Sequence, residues 1–350
     1  MRDFISINIS RDNNYDLIRL FAAMQVVILH SSFHLKLSLW EPLKSFLQLF
    51  PGVPIFFFIS GMLVTSSLMR SSSLKSYSMK RIKRVYPALW LCLLLSIIIL
   101  MIFGQINFQT LAKPFLWVWL FCQTTLLQVF NPSEFRDFGV GVVNGSLWTI
   151  PVEVSFYFVL PAIVALVKLV KNPVLVFKVL VLFGGVLSYA LSLTLIQLFD
   201  SENIFVKVLN VTVIPYFWQF AFGIFAALYY QKLKQFFTGK VILVGAAYIV
   251  IGGIVFHFMG PKMGLLLTSP LLYAFIFALG SNTPEITQRS LRGWDISYGL
   301  YLVHMLVVNI LVETGFSGHW WAFAVSIIAS VILAMMSWHF VEAKVLRRAT

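Results

Sequence analysis

Long apolar runs, separated by short polar breaks, recur along the whole chain at 15–35, 51–69, 86–104, 111–130, 147–170, 174–198, 211–230, 240–259, 264–281, 293–314 and 320–342. Each has roughly the 18–25 residues that an α-helix needs to cross a hydrocarbon core about 30 Å thick. Lipid offers no hydrogen bonds to the backbone, so runs of this length and polarity predict spanning helices. The fourth run is the weakest, because Lys113, Pro114, Gln123, Thr124, Thr125 and Gln128 interrupt it. Charge decides whether it crosses. With the N-terminus cytoplasmic and 111–130 not crossing, nineteen Lys and Arg fall inside and six outside. The inner set runs from Arg2 and Arg11, through the 70–84 cluster, to Arg289, Arg292, Lys344, Arg347 and Arg348. If 111–130 crossed, every later loop would flip, leaving eleven inside and fourteen outside. Cytoplasmic loops carry the excess of Lys and Arg, so the pattern predicts about ten transmembrane helices with both termini cytoplasmic. The stretch 105–146 is then outside or re-entrant, where irregular backbone has to be covered by protein or line a wet cavity.

Composition agrees with this picture. Of 350 residues, 59% are hydrophobic and 11% charged, and the mean hydropathy is +0.88. A soluble domain cannot hide that much apolar surface. The expected class is an all-α polytopic membrane protein, a single transmembrane domain over 1–350 with no appended soluble domain. The net charge of +13 reads as topology and contact with membrane lipids, and no nucleic-acid partner is expected. Two cysteines, Cys92 and Cys122, form neither a disulfide framework nor a zinc signature. The first apolar run contains Arg19 and has no convincing small-residue cleavage site after it, so it stays as a spanning helix.

Ionisable groups inside apolar runs are costly and usually mark a site or pathway. Arg19 and His30 are eleven residues apart, about three helical turns, so they share a face with roughly 16 Å between them. Arg19 can equally snorkel to the near interface beside Asp16, and His30 can be a satisfied core histidine. Two such costs on one face favour function. His34 follows His30 by four residues, but no third ligand stands nearby, and no metal is expected. Arg81 and Arg84, in the run RIKRVYP, are neighbours if helical and suit a multiply charged phosphate ligand. Positive-inside bias explains them as well on composition alone. Glu153 lies in SLWTIPVEVSFYFVLP together with Tyr157, and a carboxylate there could orient or charge-balance His30. His304 and Tyr298 lie in ISYGLYLVH, with His304 near mid-membrane. His257, Glu313, His319, His339 and Glu342 sit near helix ends and read as ordinary.

Taken in order, these stretches resemble the acyltransferase-3 family of bacterial membrane acyltransferases. Arg19 followed by His30, PGVPIFFFISGMLV (51–64), RIKRVYP (81–87), SLWTIPVEVSFYFVLP (146–161) and ISYGLYLVH (296–304) cover nearly the whole chain. Thr149-Ile150-Pro151 departs from the serine-containing run of the family before the glutamate. The resemblance implies transfer of an acyl group, usually acetyl, from coenzyme A to sugars of lipid-linked or surface glycans at the bacterial inner membrane. It makes acetyl-CoA the donor, held by Arg81 and Arg84 with Arg19 along the path of the pantetheine arm. His30 becomes general base or acyl carrier, Glu153 its partner, and His304, Tyr157 and Tyr298 the additional site candidates. The rivals are a transporter or flippase, in which the buried charges form a substrate or proton path, and a non-catalytic scaffold.

Overall fold

The computed structural model describes residues 7, 9, 13–200, 203–283, 291 and 293–347. Arg2, Arg11, Arg289, Arg292 and Arg348, counted above on the cytoplasmic side, lie outside the described residues. The described chain is built of helices: α1 Tyr15–His34, α2 Glu41–Leu49, α3 Gly52–Arg70, α4 Leu74–Ile102, α5 Pro114–Thr124, α6 Thr149–Val167, α7 Pro173–Leu198, α8 Phe217–Leu228, α9 Tyr230–Phe237, α10 Val241–Asn282, α11 Ser297–Glu313 and α12 Trp320–Ser337. Seven stretches are long and apolar enough to cross a membrane, and Ile214–Leu228 and Ser297–Glu313 are shorter apolar helices. At 42 residues, α10 would reach about 63 Å, twice the hydrocarbon thickness. It breaks at Gly260, whose φ of 73° and ψ of 171° belong to a region open to glycine alone. Counting its halves separately gives ten candidate crossings among the described residues, and the chain is an all-α polytopic membrane protein. The 11-residue α5 extends only about 16 Å, half a crossing.

The chain divides into two compact units, and the division falls inside α1, α2, α4 and α6. One unit comprises the residues up to Ala22, Gln48–Met79 and Val152–Gly293. Its centre is the packing of α3 on α8. Gly61 and Gly223 let the two backbones touch: a Cβ at Gly61 would land on the Phe220 carbonyl, and one at Gly223 on the Phe58 carbonyl. Thr65 and Ala227 follow at i+4, the small-xxx-small pattern by which membrane helices approach closely. Phe57 and Phe156 stack on Phe220, with centroids at 4.8 and 4.2 Å.

The second unit comprises Ala23–Leu47, Lys80–Pro151 and the chain from Trp294. Here α11 packs on α12. Fourteen residues of α11 are buried, as expected of a helix enclosed by protein. The stretch 105–146 carries irregular backbone, and side chains of α11 satisfy it. Asn309 Nδ2 donates to the Val142 and Val143 carbonyls, each at 2.9 Å. Its Oδ1 accepts from Val140 N at 3.0 Å, and Glu313 accepts from Gly139 N at 2.7 Å. Asn144 Nδ2 donates back to the Leu302 carbonyl at 2.8 Å. Leu100, Ile106, Leu116, Trp119, Phe135, Phe138 and Val143 form a core beneath this segment. The side chains of α11 thus satisfy part of its backbone from within the protein.

Candidate active site

Helix α1 is unbroken from Tyr15 to His34, so Arg19 and His30 hold the one-face register that their spacing predicts. In the first unit, Arg19 lies 3.8 Å from Asp16 and 5.9 Å from the ring centroid of Phe56. Its side chain is 16% exposed, and the flat guanidinium over an aromatic face gains a cation–π contact.

His30 is half-buried in the second unit, and its partner there is His304, which is completely buried. His30 Nδ1 and His304 Nε2 are 3.1 Å apart. His304 Nδ1 lies 2.8 Å from the Tyr301 carbonyl oxygen. That oxygen can only accept, so Nδ1 of His304 carries the proton. With both rings neutral, Nε2 of His304 is then an acceptor, and Nδ1–H of His30 donates to it. The remaining nitrogen of His30, Nε2, therefore keeps its lone pair. A backbone carbonyl on α11 thus fixes the tautomer of His304, and through it that of His30. The sequence put His304 in the additional set and offered Glu153 as the orienting group. The geometry gives the orienting bond to His304.

Glu153 belongs to the first unit, one turn into α6. Ser60 Oγ donates to its Oε1 at 2.8 Å and Tyr157 Oη at 2.5 Å. Tyr157 sits at i+4, so the helix itself sets this pair. Thr149-Ile150-Pro151, the departure noted above, forms the first turn of α6 without interrupting it.

The basic run lies inside a helix, since α4 begins at Leu74 rather than near Tyr86. Arg81 and Arg84 are accordingly neighbours one turn apart, both half-buried. Arg84 is engaged by protein carboxylates: 2.5 Å from Asp295 and 3.9 Å from Glu342. It also lies over the ring of Tyr298, at 5.6 Å. Asp295 Oδ1 accepts from Ser297 N at 3.3 Å and Ser297 Oγ at 2.5 Å, at the N-terminus of α11, where a carboxylate also complements the helix dipole. Glu342 is 2% exposed and closes a π-helical turn, Trp338–Glu342. Ser337 Oγ donates to its Oε1 at 2.9 Å. Sequence reasoning passed over both carboxylates. Glu342 reads as an ordinary residue at the end of an apolar run, and only the π turn brings it inward.

A family model described as an acyltransferase domain matches residues 12–339. The chain is 32% identical to nodulation protein 10 of Rhizobium leguminosarum bv. viciae, over 97% of this chain and 94% of that one. It is 27% identical to an O-acetyl transferase of Shigella phage Sf6, over 97% and 98%. It is 22% identical to the peptidoglycan O-acetyltransferase OatA of Listeria monocytogenes, over 85% of this chain and 51% of that protein. No solved structure matches.

Proposed function

We propose, from the premise that this chain belongs to the acyltransferase-3 family, that it carries an acetyl group from cytoplasmic acetyl-CoA to a sugar hydroxyl of a lipid-linked or cell-surface polysaccharide at the bacterial inner membrane. That the chain is a multi-pass membrane O-acetyltransferase follows from the family match and from relatives that are O-acetyltransferases. The glycan acceptor is supported by the name of the peptidoglycan O-acetyltransferase among them. Coenzyme A as donor is supported by Arg81 and by Lys80 and Lys83 beside it.

The observation that carries the reading is the bond between His30 and His304, with its consequence for Nε2 of His30. Two routes use that lone pair. In the first, Nε2 takes the proton of the acceptor hydroxyl as its oxygen attacks the thioester carbonyl. The C–S bond then breaks, and the thiolate of coenzyme A leaves with the proton from the imidazolium. In the second, Nε2 itself attacks the thioester carbonyl, the C–S bond breaks and coenzyme A leaves as its thiolate; the hydroxyl oxygen then takes the acetyl group from the acetyl-imidazolium, the N–C bond breaks, and the hydroxyl proton goes to the thiolate. His304 acts in both as a positioning residue. Glu153, tied to Tyr157 and Ser60 within the first unit, is the carboxylate this reading keeps among the site residues.

On the donor side, the reading divides the two arginines. Arg84, clasped by Asp295 and Glu342, braces the start of α11, while Arg81 meets donor phosphate one turn earlier. Arg19 is assigned to the pantetheine arm. Purified protein incubated with labelled acetyl-CoA and native membrane glycan tests the assignment. Label should move to glycan, and should fail to move with His30→Ala. A transporter would leave acetyl-CoA intact in both samples.

A further inference from the structure

In the second unit, a short turn before α6 grips α11 immediately ahead of His304. Gly145–Trp148 is a single 3-10 turn with Asn144 at its N-cap, and Thr149 follows as the first residue of α6. Asn144 Nδ2 donates to the Leu302 carbonyl at 2.8 Å. Its amide is oriented by Ser146, whose N–H and Oγ donate to Oδ1 at 3.2 and 2.6 Å. Thr149 Oγ1 donates to Tyr301 Oη at 3.1 Å, with the Ser146 carbonyl farther off at 3.4 Å. Two consecutive residues of α11 are thus held from one turn, by side chains that are all buried. Tyr301 in turn bounds His304 on two sides. The two residues are three apart and share a face of α11. The Tyr301 carbonyl accepts from Nδ1 of His304 at 2.8 Å, and its ring lies beside the imidazole, with centroids 5.9 Å apart. The helix fixes that carbonyl. It does not fix the rotation of the imidazole about its Cβ–Cγ bond, a broad torsion with two states half a turn apart. A half-turn would put carbon where Nδ1 and Nε2 now lie, breaking the bonds of His304 to Tyr301 and to His30.

We propose that Thr149, acting through Tyr301, is a positioning residue for His304 and so for the reacting nitrogen of His30, an assignment that rests on the function proposed above. The tyrosine ring stands beside the imidazole and opposes its half-turn. A tyrosine ring swings about its Cα–Cβ bond, and Oη is the atom farthest from that pivot. A hydrogen bond at Oη therefore holds the ring where it has the most leverage. A threonine that served only its own helix would accept from the N–H groups of the first turn. Thr149 instead donates away from α6, to Tyr301. Asn144 adds the second point of attachment, one residue closer to His304. With the ring of Tyr301 held, His304 keeps Nδ1 on the carbonyl and Nε2 on His30. With it released, the imidazole samples both rotations, and the lone pair of His30 is presented for only part of the time.

The test uses the full chain in lipid nanodiscs and has two readouts. The first is acetyl transfer from labelled acetyl-CoA to native membrane glycan. Thr149→Val keeps the shape and removes the hydroxyl. It should lower kcat by about two- to ten-fold, the effect of one hydrogen bond, and leave the KM for acetyl-CoA unchanged. Thr149→Ser restores the hydroxyl and should recover most of the loss. Tyr301→Phe removes the same bond from its other end, so it should match Thr149→Val, and the double variant should be no slower than either. The second readout needs no turnover. In protein carrying isotope-labelled histidine, nitrogen resonances tell a protonated Nδ1 from a protonated Nε2. The signal absent from His304→Ala and kept in His30→Gln belongs to His304. It should show a single form protonated at Nδ1 in the wild type and in Thr149→Ser, and a mixture in Thr149→Val and Tyr301→Phe. A His304 signal unchanged in Thr149→Val overturns the proposal. So do additive losses in the double variant, or a Thr149→Ser enzyme as slow as Thr149→Val. A wild-type chain that moves no acetyl group sinks the function proposed above, while the histidine signals still decide whether Thr149 positions His304.

Discussion

His30 separates a base from a packing residue. Glutamine keeps polarity and approximate size, but it can neither take a proton nor carry an acyl group. His30→Gln should therefore lower single-turnover transfer by about 10²–10⁴-fold, with normal expression and donor binding. His304→Ala removes the acceptor that fixes the tautomer of His30 and should cost about 10–100-fold, by analogy with the partners that orient metal-bound histidines. Because a protonated imidazole has no lone pair to offer, wild-type transfer should fall as pH drops. His304→Ala should move that acid limb, which loss of packing alone would not do. If His30→Gln keeps substantial transfer, the assignment fails and suspicion passes to His304. Arg84 and Arg81 should part company in the same way. Arg84→Ala strands Asp295 and the buried Glu342, and removing one partner of a buried pair costs about 3–5 kcal/mol. It should cut the yield of monodisperse protein, and Glu342→Gln in the same chain should recover part of it. Arg81→Ala should leave folding intact and weaken coenzyme A binding measured by calorimetry. Equal yields for the two single variants would refute the division.

The α3–α8 crossing rests on two glycines, and there the space can be filled one carbon at a time. Gly223→Ala would drive a methyl into the Phe58 carbonyl, and overpacking of this kind typically costs about 1–3 kcal/mol. Gly253 lies in a helix, and a Cβ added there would meet nothing within 4 Å, so Gly253→Ala should be neutral or stabilise by up to about 1 kcal/mol. Thermal unfolding in nanodiscs compares them, and equal melting temperatures would mean that the crossing is looser than it looks. The helices themselves were legible in the sequence, because apolar length and period are local properties. The start of α4 was not, since its first turns are basic and amphipathic. The irregular 131–146 segment was not either. Its backbone is satisfied by Asn309 and Glu313, more than 150 residues away, and no local pattern announces such a pairing. The same holds for the site: His30 stood out as a charge cost in an apolar run, whereas its partnership with His304 spans 274 residues.

At the scale of the whole molecule, the parity of the crossings decides where the donor and acceptor chemistry faces. Among the described residues, nine apolar helices, one of them doubled by the break at Gly260, offer ten crossings if each spans. An even number returns the C-terminus to the side of the N-terminus. Parity turns on 105–146. Helix α5, at about 16 Å, reaches only half the hydrocarbon depth, and the irregular backbone after it is bound to α11 rather than threaded through lipid. Both facts point the same way as the charge count, which falls from nineteen to eleven cytoplasmic Lys and Arg if the segment is made to cross. Reporter fusions after Lys171 and Lys234 should therefore score cytoplasmic, as should one in the 70–75 turn, while a fusion near Arg136 should score external. Cytoplasmic scores at 70–75 with external scores at both Lys171 and Lys234 would restore an eleventh crossing and place Glu153 at the cytoplasmic end of α6. Glu153 would then start its helix on the side where acetyl-CoA is made, and a role beside an external glycan would have to be abandoned.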